Sequence, residues 1–204
     1  MLKLYWAPNT IASATAIVLN EGNVPWEGIR VDVASGEQTK PAFHKVNPKG
    51  RVPALVTPEG VLTETGAILE YLAATEVPSL VPVDPLHAAR MREVMYFLAS
   101  TMHVNHAHKM RGARWADEKR SWADMTAKVP ETMALSCTYI EALIAGPFLF
   151  GDHVTLADAW LYPISCWLEA DGVDIEDFPK LAAFRAAMAS RASVRTAHDM
   201  GMIG

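Results

Sequence analysis

Three closely spaced prolines set the first limit on how this chain can fold. The segment Val77-Pro-Ser-Leu-Val-Pro-Val-Asp-Pro85 cannot continue a helix, because proline lacks the backbone donor and its ring clashes with the preceding turn. It reads as a linker. Composition changes around it, with prolines crowded before it and methionines after it. Two domains are therefore expected, at 1–77 and 87–204, with 78–86 between them. A chain of 204 residues is long enough for both and for a real core.

The first part alternates strand and helix patterns. Leu2–Trp6 is a short apolar strand stopped by Pro8. Residues 11–21 read as a helix with Ala14, Ile17 and Val18 on one face and Gly22 as its stop. Trp26–Val33 alternates like a strand, and 40–47 suits a short irregular helix. Ala54–Val56 and Val61–Thr63 are strands joined by the turn Thr57-Pro-Glu-Gly60. Thr65–Ala74 is helical, with Ile68, Leu69 and Leu72 inward. A right-handed βαβ unit followed by a hairpin and a helix builds a four-stranded mixed sheet with helices on its faces.

The second part reads as helix throughout. Met91, Val94, Met95, Leu98 and Met102 recur at three and four, which marks a buried stripe. A long helix is expected over 117–145, bent at Pro130 and ended by Gly146-Pro147. In Gly151-Asp-His-Val-Thr-Leu-Ala-Asp158, Thr155 is placed to cap a helix, and Asp158 can reach back to the cap's own N–H. Helices over 179–191 and 193–200 follow. The fold class is thus an α/β domain followed by an all-α helical bundle.

The formal charge of −5 argues against a general nucleic-acid partner, which would need a basic face. No apolar run approaches a membrane span, and Pro8 and Asn9 fall where a signal peptide would carry its apolar block. A cytosolic, non-membrane protein is expected. Cys137 and Cys166 show no CxxC spacing and read as inert buried thiols. Any thiol chemistry must use a sulfur from outside the chain.

Three motifs carry a resemblance. Asn47-Pro-Lys-Gly-Arg-Val-Pro-Ala-Leu55 precedes Leu62-Thr-Glu-Thr-Gly-Ala-Ile-Leu-Glu-Tyr-Leu72, and the capping segment at 151–158 follows in order. With the tail Phe178-Pro-Lys-Leu181 and Arg191-Ala-Ser-Val194, they resemble the soluble glutathione transferase family over nearly the whole chain. The bacterial classes look nearest, the beta class above all, although Ile11 stands where that class has its cysteine. The resemblance implies a thioredoxin-like first domain, glutathione as cosubstrate and a homodimer. The implied reaction, typical of detoxification, activates the glutathione thiol to attack a small hydrophobic or aromatic electrophile.

The site residues follow from this chemistry. The resemblance implies a cis proline at Pro53, so that the main chain of Val52 pairs with the cysteinyl part of the tripeptide like an added strand. Glu64 and Thr65 stand where a strand meets a helix N-terminus. The helix end suits the γ-glutamyl carboxylate and Glu64 suits the ammonium, while plain helix capping is the simpler explanation of the pair taken alone. Arg51, and next Lys40, are the expected partners of the glycyl carboxylate, with Lys49 the other nearby base. A free thiol with a pKa of about 8.5 is only about 3% thiolate at neutral pH, so donors must stabilise the anion. Trp6 occupies the place of the family's tyrosine, which leaves Asn9, Thr10 and Ser13 as the expected donors. An Asx or Ser/Thr turn that only caps the helix is the plain alternative for them.

His103-Val-Asn-His106-Ala-His108 has no carboxylate or cysteine at a spacing suited to zinc, so no metal is expected. The resemblance places His106, Arg111 and Trp115 at the electrophile site, where the bases favour an anionic or aromatic second substrate. Two alternatives stay open: glutathione-dependent reduction of a peroxide or disulfide, and a non-catalytic binding module that keeps the fold.

Overall fold

The computed structural model describes residues 1–204. The chain divides into two compact units, one formed by 1–82 together with 189–204 and one by 83–188. The division falls inside the proline-rich linker. The tail 189–204, expected in the helical domain, instead packs in the first unit. Glu21 and Ser193 hold it there through contacts across the length of the chain, which no local pattern displays.

In the first unit, strands β1 (Leu2–Trp6), β2 (Trp26–Arg30), β3 (Ala54–Thr57) and β4 (Gly60–Thr63) form one sheet in the order β2-β1-β3-β4. β1 runs parallel to β2 and antiparallel to β3, and β3 pairs antiparallel with β4. The expected mixed sheet is present. β2 stops at Arg30, short of the expected Val33, because Asp32–Glu37 folds into a side-chain-bonded turn. Helices α1 (Ala12–Glu21), α2 (Pro41–His44) and α3 (Thr65–Thr75) complete the α/β unit, and α1 packs against α3 and β1.

Leu4, Ile17, Leu19, Leu55, Ile68, Leu69 and Leu72 are fully buried between sheet and helices. Each such side chain contributes about 1.5–3 kcal/mol relative to exposure. Gly22 serves packing at the end of α1. A Cβ there would stand 2.4 Å from a methyl of Val77, and the left-handed residue of that turn is Asn23, at φ 48°.

The second unit contains α4 (Pro85–Phe97), a π-helical turn (Leu98–Met102), α5 (His103–Ala107), α6 (Lys119–Leu143), α7 (Leu156–Ser165) and most of α8 (Pro179–Ala189). The short α9 (Ala192–Asp199) belongs to the first unit and packs on α1. The methionine stripe is buried as expected, but a wider π turn carries its last residues and separates α4 from α5. α6 runs through Pro130 as one element. Every residue of α7 is buried, which makes it the central helix of the bundle. Its N-terminus carries the expected capping box between Thr155 and Asp158. No helix is long and apolar enough to cross a membrane.

Candidate functional site

Three loops of the first unit carry the residues singled out in the sequence. The first follows β1. Asn9 adopts φ 54°, a left-handed conformation that asparagine tolerates better than most residues. Its N–H donates to the Met202 carbonyl at 2.9 Å, and its Oδ1 accepts from the Gly204 N–H at 2.9 Å. With the oxygen engaged, the exposed Asn9 side chain keeps its NH2 as the available donor.

The neighbouring hydroxyls are committed within the loop. Thr10 Oγ1 donates to the Ala7 carbonyl at 2.7 Å, and Ser13 Oγ donates to the Thr10 carbonyl at 2.9 Å. Ser13 is also only 1% exposed. Trp6 and Ile11, standing at the places of a tyrosine and a cysteine, are both buried core residues. No side chain caps α1, and its first turn closes through the Ser13 N–H to the Thr10 carbonyl at 3.2 Å and the Ala14 N–H to the Ile11 carbonyl at 3.1 Å.

The second loop is built on Asn47, which is buried. Its Nδ2 donates to the Arg51 carbonyl at 2.6 Å, and its Oδ1 accepts from the Lys49 N–H at 3.1 Å. This clamp fixes 47–51 and delivers the chain to Val52-Pro53, whose peptide bond is cis as expected. Val52 is half-buried and precedes the strand ladder, whose register begins at Ala54. Arg51 and Lys40 are both exposed.

The third loop joins β4 to α3. Glu64 has φ 72° and is exposed, while Thr65, the first residue of α3, is buried. A β-carbon residue held at that φ places its carboxylate and the following helix N-terminus by backbone geometry. Lys49 Nζ donates to Thr63 Oγ1 at 2.7 Å and pairs with Glu64 Oε1 at 2.5 Å. For the glycyl carboxylate the sequence favours Arg51 and Lys40 over Lys49. The structure brings Lys49 to Glu64, a contact set by the fold of the 47–51 loop and invisible in spacing.

The second unit gathers a separate cluster. His106 Nδ1 lies 2.7 Å from Asp171 Oδ2, and the Asp171 side chain is completely buried. Lys109 Nζ stands 3.5 Å from Asp171 Oδ1 and donates to the Ala170 carbonyl. The His106 ring stacks on Trp167 with centroids 4.2 Å apart, and His103 meets the same indole edge-on at 5.3 Å. Trp167, read as bundle core, is therefore also the platform of this cluster. Trp115 is 46% exposed and meets His108 edge-on at 4.5 Å, and Arg111 is exposed. Asp171 leaves no signal in the sequence, because it lies 65 residues from His106.

The chain's own thiols are not poised for chemistry. Burial, with the Glu141 and Asp171 carboxylates adding to it, pushes the Cys137 thiol up to about 12. Burial likewise raises Cys166, against the pull of hydrogen bonds from Tyr162 and Ser165.

Comparison with known proteins adds an independent line. The family model for the glutathione S-transferase N-terminal domain matches residues 1–74, and that for the C-terminal domain matches 123–192. Glutathione S-transferase GstA of Escherichia coli O157:H7 is 29% identical over 202 residues, covering 96% of each chain. Maleylpyruvate isomerase of a Ralstonia species is 32% identical over 198 residues, covering 91% of each. A glutathione transferase homologue from Sulfitobacter, crystallised with bound glutathione, superposes with a TM-score of 0.97 at 51% identity, covering 99% of each chain.

Proposed function

The chain belongs to the glutathione S-transferase family, and from that premise we propose that it activates the thiol of glutathione for attack on a small electrophile. The observation that carries the reading is the junction in the first unit: an unladdered Val52 main chain beside the cis Pro53, and Glu64-Thr65 at the head of α3. The glutathione bound in the Sulfitobacter homologue supports it.

In this proposal Val52 pairs with the cysteinyl backbone of the tripeptide, in the manner of an added strand. The amides heading α3, with Thr65, hold the γ-glutamyl carboxylate. Glu64 takes the ammonium in exchange for Lys49. Arg51 and Lys40 serve the glycyl end. The thiolate is met by the Asn9 NH2 and by Thr10 at the entry to α1, acting through its backbone N–H because its hydroxyl is turned to Ala7. Lowering the thiol pKa by two units requires about 2.7 kcal/mol of preferential interaction with the anion. Two uncharged donors and a helix end can supply that.

The helical unit supplies the electrophile site with His106, Arg111 and Trp115, and the enzyme works as a cytosolic homodimer. It stands beside the beta class, not in it, because Ile11 replaces that class's cysteine. Calorimetric titration with glutathione, followed by conjugation of a chloronitrobenzene, tests the proposal. No binding at millimolar glutathione overturns it.

A second reading has one observation behind it: the 32% identity to a maleylpyruvate isomerase. In this reading the glutathione sulfur adds to a conjugated alkene, the bond rotates, and the sulfur leaves again, so that glutathione is regenerated. Turnover of a cis-alkenoic keto acid without loss of glutathione distinguishes it.

A further inference from the structure

Residues 202–204 meet the loop that follows β1, and both segments lie in the first unit. The Asn9 N–H donates to the Met202 carbonyl, and the Asn9 Oδ1 accepts from the Gly204 N–H, each at 2.9 Å. One asparagine thus grips residues 202 and 204 with its main chain and its side chain together. Met202 and Ile203 are buried although they follow the last helix, while Gly204 and Asn9 are exposed.

A specific turn aims these residues at Asn9. α9 is held on α1 by the Glu21–Arg191 fork and by Asn20, whose Nδ2 donates to the Ser193 carbonyl at 3.1 Å and whose Oδ1 accepts from Trp26 Nε1 at 3.0 Å. Beyond α9 the Met202 N–H returns to the Ala197 carbonyl at 3.0 Å and the Gly201 N–H to the His198 carbonyl at 2.8 Å. This paired pattern needs a left-handed residue after the cap, and Gly201 supplies it at φ 71°. A Cβ on Gly201 would meet nothing within 4 Å, so the glycine serves the backbone angle and not packing.

The sheet register shows what the Asn9 loop stands beside. Tyr5 of β1 is opposite Ala54 of β3, and Ala54 is opposite Thr63 of β4. The loop leaving β1, the Val52-Pro53 junction before β3 and Glu64-Thr65 after β4 therefore emerge at one end of the sheet. A tripeptide whose cysteinyl backbone pairs with Val52 has its sulfur at that end. An asparagine amide has two unlike ends, a carbonyl that accepts and an NH2 that donates. Only the NH2 stabilises a thiolate, and an Oδ1 turned to the same place repels it. The Gly204 N–H can pair with Oδ1 alone, so it decides which end is left open.

We propose that Gly204 is a positioning residue, whose main-chain N–H locks the Asn9 amide with its NH2 turned to the thiolate of bound glutathione. The inference rests on the function proposed above and adds the residue that chooses the donor end of Asn9.

The test places two substitutions at this one exposed position of the full chain. Gly204→Pro removes the N–H, while the Met202 carbonyl still holds the Asn9 backbone. Gly204→Ala keeps the N–H, and its Cβ would stand 3.5 Å from Asn9 Oδ1, an ordinary contact. The titratable groups of the last turn of α9, His198 and Asp199, are the same in both. Ultraviolet titration should find the pKa of the bound thiol raised by at least about half a unit in Gly204→Pro and restored to the parent value in Gly204→Ala. No rise with proline, or the same rise in both variants, overturns the proposal. In an Asn9→Ala background Gly204→Pro should add nothing, and an additive rise also overturns it.

The unmutated protein gives a second readout. Locking and thiolate binding must favour each other by the same factor, so saturating glutathione should slow hydrogen exchange of the Gly204 amide about threefold, followed by NMR. An unchanged rate overturns the proposal. Glutathione calorimetry on the same samples separates the failures: a parent protein that binds glutathione, with a thiol pKa unmoved by Gly204→Pro, overturns this inference alone, whereas a parent that binds none overturns the proposed function with it.

Discussion

Removing the Glu21 carboxylate should loosen the C-terminal tail. Glu21 closes α1 and accepts from Arg191 Nε at 2.6 Å, Arg191 Nη2 at 2.7 Å and Ser193 Oγ at 2.5 Å. The bidentate fork is the strong form of an ion pair. Exposure sets its magnitude: Glu21 retains 12% of its side-chain surface and Arg191 retains 32%. An exposed pair contributes up to about 1 kcal/mol, and breaking a fully buried one costs about 3–5 kcal/mol. The partly buried fork therefore stands near 2 kcal/mol, roughly midway on that scale.

Glu21→Gln keeps the shape and removes the charge. Because this interaction joins α9 to α1, the α9 amides should exchange about 30-fold faster, the equivalent of about 2 kcal/mol. Their exchange is read by hydrogen–deuterium mass spectrometry. A double-mutant cycle with Arg191→Ala should return a coupling of at least about 1 kcal/mol.

The effect depends on pH with a definite sign. Burial raises the Glu21 pKa, but the Arg191 and Ser193 hydrogen bonds outweigh it and leave the group lowered. A carboxyl lowered in the folded state stabilises above its unfolded pKa of about 4.3, and the contribution is lost as pH falls through the folded value. The difference between parent and Glu21→Gln should therefore be full at neutral pH and vanish in acid. A coupling below about 0.3 kcal/mol, as found for independent sites, or a difference constant down to acid pH, refutes the reasoning.

Three further predictions concern the cap, the thiol and the γ-glutamyl site. Asp158 is fully buried and accepts from the Leu149 N–H, the Thr155 N–H and the Thr155 hydroxyl. Asp158→Ala strands two buried amides and should lower stability by about 3–5 kcal/mol, read as the urea midpoint. Asn9→Ala should raise the pKa of bound glutathione by ultraviolet thiolate titration, whereas Ser13→Ala should leave it unchanged because that hydroxyl serves the Thr10 carbonyl. An equal shift in both variants removes the Asn9 assignment. Thr65→Val should weaken glutathione binding about tenfold in calorimetry, since one hydrogen bond to a charged group is worth about 1.5 kcal/mol.

The shape of this chain and the chemistry of its candidate site were legible to different degrees. β1, α1, the β3–β4 hairpin and α3 could be read locally, because periodicity and turn residues act within a few positions. The Thr155–Asp158 cap was legible for the same reason, its partners being three residues apart. Val52-Pro53, Glu64 and Thr65 could be singled out by motif, but the sequence did not say which lysine meets Glu64. It offered Thr10 and Ser13 as donors from residue type alone. The direction of each hydroxyl depends on whichever carbonyl the folded loop presents to it.

The sequence by itself determined the mixed sheet, the run of helices that follows it and the family-like order of motifs. Tertiary structure alone decided three associations. Asn9 meets Gly204 across 195 positions, Glu21 meets Arg191 across 170, and His106 meets Asp171 across 65. None leaves a periodic trace, because a pairing between distant residues exists only once the intervening elements have packed. Local patterns report which face of a helix or strand is apolar. Which carboxylate ends up beneath which imidazole is set by how Gly172 and Asn105 fit against Pro130, Thr132 and Ser136 of α6.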